Sequence, residues 1–148
     1  MKMLRTATPE MIAAANPPEG FSSILSNSTF GWENGPIFER KGADSAIRGF
    51  RVAERHTNAG GMCHGGMMMT FADILLATAV MRVANPPFVT VRLTTDFIDG
   101  AKLGEWVEGE AEPFSVFDGV VPVSCVIKAS GRTVATASGL FKLLGSRR

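Results

Sequence analysis

The chain has 148 residues, of which 45% are apolar and 20% charged, and its formal net charge is +1. That length suits one domain, 1–148, with a sizeable core, and the balanced charge excludes a general pull toward nucleic acid or an anionic membrane surface. Two cysteines, Cys63 and Cys125, are too few for a disulfide framework or a cysteine-rich metal site. The low charged fraction points to buried surface beyond a monomer core, most simply a subunit interface. Residues 1–20 contain no continuous apolar stretch of signal-peptide type, so the expected location is the cytoplasm.

In chain order, Thr8 can cap a short helix that Pro9 starts and Asn16-Pro17-Pro18 stops. The apolar piece from Phe21 to Leu25 reads as a helical turn or coil, making residues 1–25 a helical extension. Residues 30–41 (FGWENGPIFERK) offer strand pieces around Asn34-Gly35, a hairpin signal, as one bent strand or two. A turn at 40–44 leads into a predicted strand over 46–55, where the alternation slips at Phe50.

Residues 58–82 (NAGGMCHGGMMMTFADILLATAVMR) organise the rest. Between Gly65 and Met81 the only charged residue is Asp73. Helix formers dominate, and a segment apolar on all sides predicts a helix at about 65–83 that is buried on all sides. Asn85-Pro86-Pro87 ends it. The stretch is too short for a membrane span and holds an acid. Strands are predicted at 88–98, at 105–117 with a break near Pro113, at 120–130 and at 133–144. Asp99-Gly100, Asp118-Gly119 and Gly131-Arg132 supply the turns. Within 88–98, Val89, Val91 and Leu93 oppose Thr90, Arg92 and Thr94. Strands on both sides of one helix, with short later connections, give an α+β fold: an antiparallel sheet with the helix on one face.

Asp73 has two readings. It is either a structural acid paired with an arginine or a helix terminus, or a general base or nucleophile, since a desolvated carboxylate takes a proton or attacks a carbonyl more readily. Gly65 and Gly66 permit a tight loop-to-helix turn. The same turn would present unpaired helical N–H groups at the positive end of the macrodipole, where an oxyanion can be held. Asn58 alone suits a turn. Adjacent Cys63 and His64 rarely point at one another, and G-x-S-x-G is absent, so a Ser or Cys nucleophile is not indicated. Met67, Met68 and Met69 suit a core or an acyl pocket.

His64-Gly65-Gly66, with Asn58 six residues before the histidine and Asp73 nine after it, resembles the signature of hotdog-fold acyl-CoA thioesterases, and within them the PaaI type of phenylacetic acid degradation. The motif covers about a sixth of the chain, and the strand pattern extends the resemblance over most of 30–144. The resemblance implies a hotdog fold, an antiparallel sheet wrapped around one long central helix, and hydrolysis of an acyl-CoA to free acid and CoA. By the same resemblance Asp73 is the base or nucleophile, Gly65 the oxyanion donor, Asn58 an orienting group and Thr90 a hydroxyl serving the acid or the water. His64 braces the loop, and His64, Gly66 and Val91 contact substrate.

No metal and no cofactor is implied, CoA being part of the substrate. No nucleic acid or membrane partner is expected. Gly66 and Asp73 lie roughly 10 Å apart along a helix axis, too far to share one carbonyl comfortably; the resemblance implies that acid and donor come from different subunits of a homodimer, commonly a dimer of dimers in this family. Arg55, Arg82, Arg92, Lys128 and Arg132 are candidates for the CoA phosphates, and the lack of Tyr beside Phe and Met suggests an apolar acyl group. The rival readings are a non-catalytic acyl-CoA-binding module, against which Asp73 speaks, and an enoyl-CoA hydratase or dehydratase, whose histidine is placed differently.

Overall fold

A computed structural model describes residues 2–42, 44–85 and 87–145. The elements in chain order are α1 Pro9–Ala15, β1 Phe21–Ser23, α2 Thr29–Asn34, β2 Phe38–Arg40, β3 Ala46–Arg51, a 3-10 turn Glu54–His56, α3 Gly65–Val80, β4 Phe88–Phe97, β5 Trp106–Pro113, β6 Val120–Ala129 and β7 Arg132–Leu143. The strands form one antiparallel sheet in the order β1-β2-β3-β5-β6-β7-β4. No helix among the described residues is long and apolar enough to cross a membrane.

The second half of the sheet follows from its turns. Asp118 and Gly119 (φ 49° and 71°) and Ser130 and Gly131 (φ 48° and 80°) take the left-handed backbone that tight antiparallel reversals need. α3 lies across the concave face. Its Met67, Met68, Phe71, Ala72, Leu75, Leu76, Ala79 and Val80 are buried, a spacing of threes and fours that makes one apolar face. Helix and sheet approach closely at Gly109, where a Cβ would lie 2.4 Å from Leu75 Cδ2.

A second, smaller cluster covers the other side of the sheet: Phe21, Phe38 and Trp106, with Ile47 against them and a Phe21–Trp106 ring separation of 5.0 Å. It explains the slip in the pattern of β3. Ala46, Phe50 and Val52 belong to the main core under α3, whereas Ile47 packs against the second cluster.

Several expectations need correction. The piece after Gly20 is a strand, because Phe21, Ser22 and Ser23 pair with Arg40, Glu39 and Phe38. The first half of 30–41 is helix rather than strand. Ser28 Oγ accepts the Gly31 N–H at 3.0 Å and caps α2, and the Trp32 indole N–H donates to the Ser26 carbonyl at 3.0 Å. Asn34-Gly35 therefore ends a helix and makes no hairpin. The strand expected over 46–55 stops at Arg51, and the one expected over 105–117 at Pro113. α3 ends at Val80 rather than 83, and Arg82 and Val83 donate three residues back, to Ala79 and Val80, tightening the exit. Of the expected stop Asn85-Pro86-Pro87, Pro86 lies outside the described residues, as does Ala43 in the 40–44 turn. α3 is buried on one side only: Gly66 and Met69 are exposed, and Thr70, Asp73 and Ile74 are half-buried.

Candidate active site

The loop before α3 is held by its own polar groups. Asn58 Oδ1 accepts from Gly60 N–H at 2.9 Å and Met62 N–H at 3.2 Å, and its backbone N–H donates to the Met62 carbonyl. Asn58 thus builds the loop, as its turn reading anticipated. Cys63 N–H donates to the Ala101 carbonyl and His64 N–H to the His56 carbonyl, which tie the loop down on both sides. His56 is buried. Its Nδ1 accepts from Ala53 N–H at 3.0 Å, so its Nε2–H donates to the Asn34 carbonyl 2.7 Å away. Burial is the main cause that moves its pKa down.

His64 is the N-cap of α3, and its Nδ1 accepts the Gly66 N–H at 2.8 Å. The cap consumes one of the orphan donors of the first turn. The Gly65 N–H makes no hydrogen bond among the described residues and remains at the positive end of the helix. A Cβ on Gly65 would stand 3.4 Å from Phe97 Cζ, so the ring of Phe97 lies beside this donor. Burial pushes the Cys63 thiol up to about 11, far from a thiolate nucleophile at neutral pH.

Two turns further on, Asp73 Oδ1 accepts a 2.8 Å hydrogen bond from Thr90 Oγ1. β4 delivers that hydroxyl by a bulge. Thr90 pairs with Phe141 and Arg92 with Leu140, leaving Val91 as the extra residue. The bulge reverses the simple alternation expected for this strand. Thr90 and Leu93, expected on opposite sides, both turn toward α3, and Val91 is 60% exposed. Asp73 lines an open groove of about 410 Å³ with Gly66, Met69, Thr70, Ile74 and Leu93, bordered on one side by Phe30 of α2 and its cap Ser28. Phe30 and Phe97 were missed in the sequence reading. Phe30 sat in a supposed strand, and the place of Phe97 depends on the bulge.

The chain therefore brings Asp73 and Thr90 into contact and puts Gly66 in the same groove. Asn58 sits in the loop and makes no hydrogen bond to Asp73. Of the phosphate candidates, Arg132 is committed to Glu105 (2.9 and 3.1 Å) and Asp99 (3.1 Å). Its guanidinium, followed by the Lys102 N–H, takes the Glu105 carboxyl down to about 2. Arg55 donates to the Gly35 carbonyl and Arg82 to that of Asp44. Arg92 and Lys128 are exposed and form no ion pair among the described residues. No group of three or more His, Cys, Asp or Glu side chains among those residues is placed to hold a metal ion.

A seven-stranded antiparallel sheet wrapped around a central helix, with a capped His-Gly-Gly turn at the helix start, is the hotdog thioesterase fold. The family model of the thioesterase superfamily matches residues 60–136, and the chain belongs to that superfamily. It is 36% identical over 131 residues to the Pseudomonas aeruginosa protein named "Putative esterase PA0474", covering 86% of this chain and 98% of that one. Among solved structures it resembles a mutant of the phenylacetic acid degradation protein PaaI of Thermus thermophilus (TM-score 0.71, 22% identity, 79% of this chain and 100% of that one). It also resembles a Streptococcus pneumoniae thioesterase-type protein solved with coenzyme A (TM-score 0.66, 20% identity, 76% and 88%). The fold is PaaI-like, and the superfamily supports hydrolase chemistry.

Proposed function

We propose that the protein hydrolyses the thioester of an acyl-CoA to the free acid and CoA. The observation that carries this reading is the Thr90–Asp73 hydrogen bond at the floor of an open groove. A carboxylate on the open side of an otherwise apolar helix, oriented by a hydroxyl and accessible to a small molecule, is placed to take a proton from water or to attack a carbonyl carbon. The unpaired Gly65 N–H supplies the complementary group, a donor at a helix N-terminus for the developing oxyanion. The coenzyme A bound by the Streptococcus pneumoniae relative supports CoA as the carrier.

Asp73 and the Gly65 N–H are two turns apart on one helix, too far for both to act on one carbonyl. The reading therefore includes a homodimer in which the Asp73 of one protomer works with the Gly65 donor of the other. β4 is an edge strand with exposed Val89 and Val91, and an open apolar edge of this kind favours a strand-to-strand contact. In this arrangement His64 shapes the donor turn, Gly66 and Val91 contact substrate, Asn58 holds the loop that orients it, and Arg92 and Lys128, exposed and without an ion pair among the described residues, receive the phosphates. No metal or further cofactor takes part, and the cytoplasm, where acyl-CoA is met, is the proposed location.

The test is thiol release from a panel of aromatic, short and long acyl-CoAs by wild type and Asp73→Asn. Turnover of at least one member, reduced at least ~100-fold in Asp73→Asn, is the expected result. Binding of acyl-CoA without thiol release would replace hydrolysis with a binding-module role.

A further inference from the structure

The concave face of β3 carries one charge. Ala46, Phe50 and Val52 turn under α3 and are buried, and Arg48 takes the inward position between Ala46 and Phe50. Its Nε is buried without a hydrogen-bond partner. The carboxylate facing it is Glu39, with Nη2 and Oε2 3.9 Å apart, and Glu39 is itself 38% exposed. Burial lowers the guanidinium's pKa more than Glu39 raises it. A desolvated arginine with one long ion pair is costly, and a well-packed apolar residue would ordinarily serve the core better.

Arg48 borders a cavity of about 80 Å³ together with Ile24, Trp32, Ile37, Ile74 and Ser28. Ser28 and Ile74 also line the Asp73 groove, so the small cavity adjoins the groove across these two residues. Of the polar groups around it, Trp32 Nε1–H donates to Ser26 O, and the Ser28 and Ser26 hydroxyl oxygens accept from Gly31 N–H and Ser28 N–H. Among the described residues that line the cavity, Arg48 is the only charged one. At roughly 30 Å³ per water molecule, the cavity has room for a carboxylate and little more. The methylene chain leading to that group would lie in the adjoining groove, against Ile74.

We propose that Arg48 receives a carboxylate at the far end of the acyl group, so that the preferred substrates are CoA monothioesters of dicarboxylic acids. This rests on the thioesterase reading of the Asp73 groove, and it departs from the apolar acyl group expected from composition. A bound carboxylate completes the fork of Arg48 with charge-assisted hydrogen bonds. A neutral acyl chain of the same shape leaves the guanidinium desolvated with its Nε unsatisfied and only the long Glu39 pair, which is the condition under which a site rejects an isostere.

The test compares glutaryl-CoA with 5-methylhexanoyl-CoA, and adipyl-CoA with 6-methylheptanoyl-CoA, pairs that differ in carboxylate against isopropyl. Wild type is expected to favour the carboxylated member at least ~10-fold in kcat/KM. Arg48→Met reverses the order, and Arg48→Lys keeps it in weakened form. Equal or better turnover of the neutral members by wild type overturns the proposal and leaves the hydrolase reading standing. If no thioester is cleaved, the hydrolase reading fails, and the pocket is judged by Kd values of the thioether analogues of the same pairs. A carboxylate preference lost in Arg48→Met sustains it, and equal affinities overturn it. Should Arg48→Met not fold, the wild-type and Arg48→Lys ratios decide alone.

Discussion

The two sides of α3 make a controlled comparison, because they share backbone, length and solvent. On the sheet side Phe71, Ala72, Leu75, Leu76, Ala79 and Val80 are completely buried, and each large side chain there contributes on the order of 1.5–3 kcal/mol by leaving water. On the other side Gly66, Met69, Thr70, Asp73 and Ile74 border the groove. The carboxylate is tolerated because it lies on that second side, partly solvated and hydrogen-bonded by Thr90. Stability and the proposed chemistry thus occupy opposite faces of one helix, and substitutions on the two faces should separate cleanly.

The largest effect expected is on the dry face. Phe71→Ala should cost about 3–5 kcal/mol of unfolding free energy, read from urea denaturation, while the folded fraction keeps its specific activity. A Phe71→Ala variant that kept its stability but lost turnover would break the division. Next is Thr90→Val, which keeps the shape and removes the donor. It should lower kcat/KM for thiol release about tenfold, near the worth of one hydrogen bond to a charged group, with the denaturation midpoint unmoved. An equal loss of stability would make Thr90 a packing residue. His64→Ala removes the cap of α3 and should cost about 1 kcal/mol, with a fall in kcat larger than that stability loss if the Gly65 donor depends on the turn.

The smallest effect is a pH dependence that leaves both faces alone. The folded-state pKa of His56 is depressed by burial. Below its unfolded pKa of ~6.5 the unfolded chain binds a proton that the native chain resists, so stability is complete above that pH and declines as the pH falls. Thermal midpoints from pH 7.5 to 5 should show this slope, and His56→Gln should flatten it. An unchanged slope in His56→Gln would place the proton elsewhere.

How much was legible in the sequence follows from where the signals were local. The strands from Phe88 onward and their turns were readable because Asp118-Gly119 and Gly131 announce left-handed backbone and the strands are rich in alternating β-branched residues, although the bulge at Val91 hid which side of β4 faces α3. Asp73 and the His64-Gly65-Gly66 turn were readable as a lone acid in an apolar helix and as glycines at its start. α2 was not, since Asn34-Gly35 signals a hairpin as readily as a helix end, and the informative residue was Ser28, whose cap is visible only once Gly31 N–H is seen to donate to it. The two-sided burial of α3 was over-read, because Met69 and Ile74 are as apolar as Met68 and Leu75 and periodicity cannot tell a groove wall from a core. Arg48 was hidden by the slip at Phe50, which disappears when Ala46, Arg48, Phe50 and Val52 are taken as one inward series.

Ser28 caps a six-residue helix and at the same time stands between two cavities. Almost all of the wall on the Arg48 side comes from residues 24–48, whereas Asp73, Thr90 and the Gly65 donor come from residues 65–90. The proposed selectivity and the proposed reactivity therefore lie in separate stretches of the chain. On that proposal, substitutions in the earlier stretch would change which acyl group is admitted without touching the later one.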